Sequence, residues 1–407
     1  MTQSAMAIPA DRLSARPTRV QMMAYTGLAL CGVVDGFDLQ ATGMIAVQLG
    51  NEFAVGSDRL GLLFGATAVG LAIGSSVGGL LSDIDARRGL IGALFMVSLC
   101  SLLSTLTGSL LPFAGLRFLT GLGMGAVVPL MLLIGLRTGP PQYGSRRVAV
   151  LGTGAPVGGL CLGAWMAAAG QDLSWRIILQ VGGLATLGVG LLVIMLVPLP
   201  EVRKEPGDGK VPISRLFTHG RAVSALLVCL LFLLAIGLLY VQTSWLPYLL
   251  RELSFSPSQV GVTMMCWSAG GALGGLVLGG KLRKETMTLL MVIAYGGVAL
   301  AAILLSLGTG GLLLSSFGVS LLGFFTAGGT QMLYGIAPLF YVSAVRGTGL
   351  GLSIAIGRIG AALGPMIVGY VLASGATPKV VPAGIVPVSL LILLLVVHLL
   401  RHHQVED

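Results

Sequence analysis

Apolar residues in this chain run in long stretches separated by short polar connections, and twelve stretches reach the roughly 20 residues that a helix needs to cross a bilayer. They begin near Gln21, Leu60, Arg88, Leu110, Arg146, Trp175, Arg221, Gln259, Thr286, Gly311, Gly347 and Val381. The one long polar connection, Glu201 to Gly220 with Pro206, Gly207, Asp208 and Gly209, falls at mid-chain and reads as a linker. The pattern predicts an all-α integral membrane protein. A polar tail (1–20) precedes a six-helix bundle (21–200), the linker (201–220), a second six-helix bundle (221–401) and a short tail (402–407). The arginine-bearing N-terminal stretch leads into a span far longer than a signal-peptide core, so no cleavable signal is predicted.

Charge fixes the orientation. With both termini cytoplasmic, only Arg59, Arg176, Arg251 and Lys379 fall in outer connections and only Arg117 and Arg358 fall inside spans; every other lysine and arginine lies in the tails or the cytoplasmic connections. Composition agrees: 55% hydrophobic residues, 10% charged and a mean hydropathy of +0.95 exclude a soluble domain of 407 residues. The formal charge of +9 comes from scattered residues that form no continuous patch, which argues against a nucleic-acid partner. Sixty-two glycines suit helices that approach closely in lipid. Cys31, Cys100, Cys161, Cys229 and Cys266 stand singly, without C-x-x-C or metal-ligand spacing, and read as small core residues. Neither a metal nor a cofactor is predicted. No histidine lies in a span core and no nucleophile has a base at motif spacing, so the chain is not read as an enzyme. Tails of about 20 residues or fewer leave no appended domain for a receptor.

Two acids stand away from the span ends, Asp35 and Asp38, three residues apart in the first span. That spacing puts both carboxylates on one helix face, and two carboxylates so close do not both stay ionised in a dry site. Intramembrane acids are costly and mark function, here proton loading and release; the competing reading is a pair bonded to its neighbours that only shapes the helix. Arg117, early in the fourth span, is expected to pair with Asp38, either as a structural counter-ion or in contact with substrate. Arg358 lies about twelve residues into the eleventh span, roughly 18 Å along its axis and near the midplane. Its guanidinium fork suits a carboxylate, unless backbone carbonyls satisfy it instead.

An internal repeat at an offset of 200 matches Glu52, Gly61, Gly70, Gly74 and Gly79 with Glu252, Gly261, Gly270, Gly274 and Gly279, so the halves share one plan. The four intramembrane charges have no charged counterpart in the repeat, which marks them as the functional asymmetry. Trp165, Trp175 and Trp245 lie near outer span ends, where an aromatic belt is expected. Trp267 lies deeper; with Phe37, Phe324, Phe325 and Tyr334 it is a candidate wall for an aromatic ring. Gln331 and Tyr334 are candidate hydrogen-bond partners for a ring hydroxyl, and ordinary packing is the alternative for each.

The connection Gly79-Leu-Leu-Ser-Asp83-Ile-Asp-Ala86-Arg87-Arg88 resembles the signature loop of the major facilitator superfamily, with Ala86 where glycine is usual. Arg117-Phe-Leu-Thr-Gly121-Leu-Gly123-Met-Gly125 is similar to that superfamily's fourth-helix pattern. Asp35-Gly-Phe-Asp38, with Ala337-Pro-Leu-Phe-Tyr341 and Gly357-Arg358-Ile-Gly360-Ala-Ala-Leu-Gly364-Pro365, resembles the aromatic acid:proton symporter family. Within it, Trp245-Leu-Pro247 and Gly328-Gly-Thr-Gln331-Met-Leu-Tyr334 look most like the hydroxyphenylpropionate branch. The resemblance implies two pseudo-symmetric six-helix bundles in the bacterial inner membrane that import a benzoate-like or phenylpropanoid anion with protons, one chain building the pathway. Asp83, Arg87 and Arg88 are then expected to act as a cytoplasmic charge latch, unless they are a solvated loop that serves topology. A rival reading comes from Gly154-Ala-Pro156-Val-Gly158-Gly159, which resembles a motif of proton antiporters and implies export of drugs or metabolites.

Overall fold

The computed structural model describes residues 18–138, 147, 150–169, 173–197, 222–283, 285–307, 311–341 and 346–402. The connection 201–220 and most of both tails lie outside the described residues. Among the described residues, twelve helices are long and apolar enough to span a membrane. In chain order they are α1 (Arg19–Met44), α2 (Ser57–Leu81), α3 (Ile84–Ser104), α4 (Leu110–Arg137), α5 (Val150–Ala169) and α6 (Trp175–Leu196), followed by α7 (Ala222–Glu252), α8 (Pro257–Gly280), α9 (Met287–Leu307), α10 (Gly311–Phe340), α11 (Thr348–Ala373) and α12 (Val380–Arg401). Local chemistry marks several starts. Thr18 and Ser256 each form a capping box, with Gln21 and Gln259 respectively, and Pro257 occupies the first turn of α8, where its missing N–H costs nothing. The run from α2 into α3 is kinked at one non-helical residue, Asp85 (φ −155°, ψ 92°), the second residue of α3.

The repeat read from the sequence is a repeat of packing. A Cβ added at Gly70 would lie 2.1 Å from the Phe118 carbonyl oxygen, and one at Gly74 would lie 1.9 Å from that of Leu122, where α2 crosses α4. Gly270 and Gly274 meet the carbonyls of Ser320 and Phe324 at the same 2.1 and 1.9 Å where α8 crosses α10. Gly61 and Gly261 carry the contacts between bundles, the first against Pro365 and Gly369 of α11, the second against Gly163 and Ala167 of α5. A Cβ added at Gly79 or Gly279 meets no described atom within 4 Å. Equivalent glycines thus allow equivalent close approaches, which lipid-embedded helices need because no hydrophobic effect presses them together. Gly74→Ala and Gly274→Ala should each cost about 1–3 kcal/mol by overpacking, with Gly79→Ala nearly neutral; thermal unfolding of the purified variants checks the ranking.

The two bundles meet on the face opposite the described chain ends. Gly43 of α1 closes on the Thr243 carbonyl of α7, Ser258 donates to the Ala167 carbonyl at 2.6 Å, and Phe64 of α2 stacks edge-on with Trp245 of α7 at 5.2 Å. A core cluster spanning both bundles fills this face, and another, around Leu28, Leu90 and Leu130, is built wholly from the first bundle. The hydrogen bonds of Gln40 with Ser268 and of Ser258 with the Ala167 carbonyl join the bundles in the half toward the closed face. The cleft therefore opens toward the face that holds Arg19 and Arg401.

Two belt tryptophans are corrected. Trp175 is 2% exposed and Trp245 fully buried, the latter donating to the Pro365 carbonyl at 2.9 Å, so neither floats in the interface. The cause is local. The short helix Ala46–Phe53 folds back over the bundle, and its Glu52 accepts from both the Trp175 indole and the Arg176 guanidinium, which itself lies 4.3 Å over the Trp175 ring. Those two donors, Arg176 first, hold the Glu52 carboxyl below the usual carboxylate range. Whatever stability this clamp adds is present above that range and fades as pH falls through the lowered value; with both side chains more than a third exposed it is small. Of the cysteines, Cys31, Cys100 and Cys229 are buried as expected, but Cys161 is exposed.

Candidate functional site

Asp38 and Arg117 form a closed polar ring inside the first bundle. Arg117 is fully buried and Asp38 is 3% exposed. One guanidinium nitrogen, Nη1, lies 3.3 Å from each Asp38 oxygen, while Nη2 donates to Ser101 Oγ at 2.9 Å and Ser104 Oγ at 3.2 Å. Ser101 in turn donates to Asp38 Oδ1 at 3.1 Å. The serines are three apart on α3, the same one-face spacing that aligns the two aspartates on α1. A buried charge pair is tolerable only when its remaining donors and acceptors are met, and this ring meets all but Arg117 Nε.

Asp35 is treated differently. Its Oδ1 is buried and accepts no hydrogen bond among the described residues. Within electrostatic reach of it, on the other bundle, is Arg358 of α11, whose Nε is likewise buried without a hydrogen-bond partner among the described residues. Arg358 Nη1 donates to the Tyr240 hydroxyl of α7 at 2.9 Å. Tyr334 of α10 completes the group: it is within electrostatic reach of Arg358 and packs edge-on against Phe232 at 5.3 Å. One acid is thus neutralised within its own bundle, and the other confronts a base on the opposite bundle.

Not every predicted wall residue reaches this group. Phe37 sits two positions from Asp35, on the other side of α1; it stacks on Trp165 of α5 at 6.3 Å and abuts Gly182 of α6. Phe325 packs against Gly297 of α9, with Phe324 edge-on to it at 5.2 Å. Gln331 is exposed beside Gly275. Trp267 is buried and donates to Gln242 Oε1 at 3.2 Å, and Gln242 donates to Thr326 at 2.9 Å. One residue further along α8, Ser268 exchanges hydrogen bonds with Gln40 of α1 at 3.2 and 3.3 Å, a polar contact between bundles at the inner limit of the closed half. Gly154, Gly158 and Gly159 of the antiporter-like motif form the seat for α1: a Cβ at Gly158 would lie 2.0 Å from the Val33 carbonyl oxygen, and one at Gly159 would lie 1.8 Å from Gln40 Nε2.

Of the expected latch, Arg87 donates to the carbonyls of Ile194 (2.6 Å) and Val197 (2.7 Å), capping the end of α6 in its own bundle, and Arg88 pairs with Asp85 at 3.3 Å. The Asp83 side chain lies outside the described residues. Sequence reasoning missed Tyr240, Ser101, Ser104, Gln40 and Ser268. For the serines a signal existed, since their three-residue spacing matches that of the acids; single polar residues such as Tyr240 and Gln40 carry none.

Two six-helix bundles around a cleft whose midplane charges lie on opposite bundles define a membrane carrier of the alternating-access class. The chain belongs to the Major Facilitator Superfamily, whose family model matches residues 28–365. It is 35% identical over 364 residues to the 3-(3-hydroxy-phenyl)propionate transporter of Escherichia coli K12, covering 87% of this chain and 88% of that one. It is 28% identical to the gallate transporter of Pseudomonas putida, covering 86% and 85%. Among solved structures, the inward open xylose transporter XylE from E. coli matches with a TM-score of 0.71 at 16% identity, covering 91% and 95%, a likeness of fold alone. These relatives are named transporters, not enzymes.

Proposed function

We propose that this chain is a proton-coupled symporter that imports an aromatic carboxylate across the bacterial inner membrane by alternating access, with both termini cytoplasmic. The names of its relatives support the substrate class, and the distribution of lysine and arginine supports the orientation. In that orientation the closed face is extracellular and the cleft faces inward. The observation that carries the reading is the confrontation of Asp35 and Arg358 across the bundles, each with a buried polar atom left unpartnered.

While Asp35 is ionised it competes with an incoming carboxylate for Arg358. A proton on Asp35 removes the competitor, and the substrate carboxylate takes its place on the guanidinium, with the Tyr240 hydroxyl holding the fork in aim. The loaded cleft then contains fewer uncompensated charges, so the bundles close over it at lower cost, and release on the other side returns anion and proton together. Asp38 and Arg117 keep the first bundle rigid and electrically balanced near that exchange. Proteoliposomes with an imposed acid-outside gradient test the direction: benzoate or 3-phenylpropionate should accumulate inside, and gradient-driven extrusion of the acids would establish the export reading instead. In the same assay Arg358→Gln should abolish uptake, and Arg358→Lys should raise KM at least about tenfold, because an ammonium keeps the charge but loses the two-pronged geometry.

A further inference from the structure

Away from the central cleft, the outer half of the second bundle holds a partly open pocket of about 230 Å³ between α7, α9, α10 and α12. Its walls are aliphatic, with Leu246, Leu249, Val319 and Ile385 among them. Of the described residues that line it, only Gln242 and Lys379 carry polar side chains. Lys379 is exposed in the connection between α11 and α12 and makes no ion pair among the described residues. Gln242 is 2% exposed and bridges the cavity to the centre of the molecule through Trp267 and Thr326.

Dry cavities of about 150 Å³ bind benzene, so this pocket has room for a ring bearing a short side chain. A pocket that is mostly apolar, with one cation at its margin that forms no ion pair among the described residues, fits a compact body ending in one anionic group. We propose that this cavity is a second, outer binding site for an aromatic carboxylate, with its ring among Leu246, Leu249, Val319 and Ile385 and its carboxylate on Lys379. The choice of ligand rests on the transport function proposed above. A volume of about 230 Å³ matches a single-ring acid, whereas most of a lipid acyl chain would lie outside the pocket.

The site also touches the closed face. Gln242 lines the cavity and accepts from Trp267, and the neighbouring Ser268 bonds Gln40 of the first bundle. Gln242 also adjoins Thr243 of α7, whose carbonyl meets Gly43 of α1, so occupancy is placed to bias the bundles between their two states.

Equilibrium binding of radiolabelled 3-phenylpropionate to the full chain in lipid nanodiscs tests the assignment. The wild type should bind two equivalents. Arg358→Gln should lose one and keep the site that Lys379→Gln or Leu249→Trp removes, with affinity at that site falling at least tenfold in Lys379→Gln. Because Lys379 is exposed, its replacement spares the core, and Leu249→Trp fills the void without touching a charge. A single wild-type equivalent that vanishes in Arg358→Gln overturns the second site and leaves the central reading intact. Two equivalents that both survive Arg358→Gln overturn the central reading instead. A co-purified lipid that Leu249→Trp expels, and that millimolar 3-phenylpropionate does not displace, assigns the cavity to the bilayer and also overturns the proposal.

Discussion

Asp35→Asn should abolish accumulation driven by a pH gradient while leaving exchange of labelled for unlabelled aromatic acid across the same membrane. Asparagine matches the shape of a protonated aspartate and cannot ionise, so Arg358 is permanently free of its competitor and the bundles rock whether or not a proton is present. Each pH unit of gradient supplies about 1.4 kcal/mol per proton, or tenfold accumulation, so a two-unit gradient gives about a hundredfold for a one-proton carrier. In the variant the ratio should fall to about one. A variant that still concentrates the acid tenfold would place the coupling proton elsewhere, and Asp38 would be the next group to examine. The contrast between the two acids is the informative part. Asp35 Oδ1 lies buried and unbonded, whereas both Asp38 oxygens already accept from Arg117.

That contrast was not legible in the sequence. Two aspartates at a three-residue spacing predict a shared face and a shared partner, and α1 does place them on one side. What separates them is the identity of the opposing helices: α3 and α4 of the same bundle for Asp38, α11 of the other bundle for Asp35. Helix neighbours across a bundle depend on tertiary packing, which hydropathy does not encode. Span number and approximate limits were legible because the bilayer imposes a length, and the glycine repeat was legible because close helix approach needs the same small residue at the same place in both halves. Aromatic residues were the least readable. Phe37 and Phe325 are as apolar as any cleft wall, yet a step of one or two positions along a helix turns each toward a neighbour in its own bundle. Trp175 and Trp245 sit at the depth of an interfacial belt but are claimed by Glu52 and by the Pro365 carbonyl.

Arg117→Met should be the most destabilising single substitution in the central region, and Asp38→Asn in the same protein should reverse most of the loss. Removing the guanidinium strands the Asp38 carboxylate at 3% exposure with only Ser101 as a donor, and breaking a buried pair in this way costs about 3–5 kcal/mol. Replacing both partners removes both charges at once, and buried ion pairs exchanged for neutral groups of similar volume are often no less stable. Ser101 and Ser104 then lose a common donor but keep each other's neighbourhood, and Ser104 still bonds the Cys100 carbonyl at 2.7 Å. A double-mutant cycle on thermal unfolding in detergent reads the result. Strong non-additivity, with the double variant more stable than Arg117→Met alone, means that the two side chains act as one buried unit. Additive losses would mean that Arg117 stabilises the fold through Ser101, Ser104 and its position 5.8 Å over the Phe113 ring, leaving Asp38 free to carry a proton of its own.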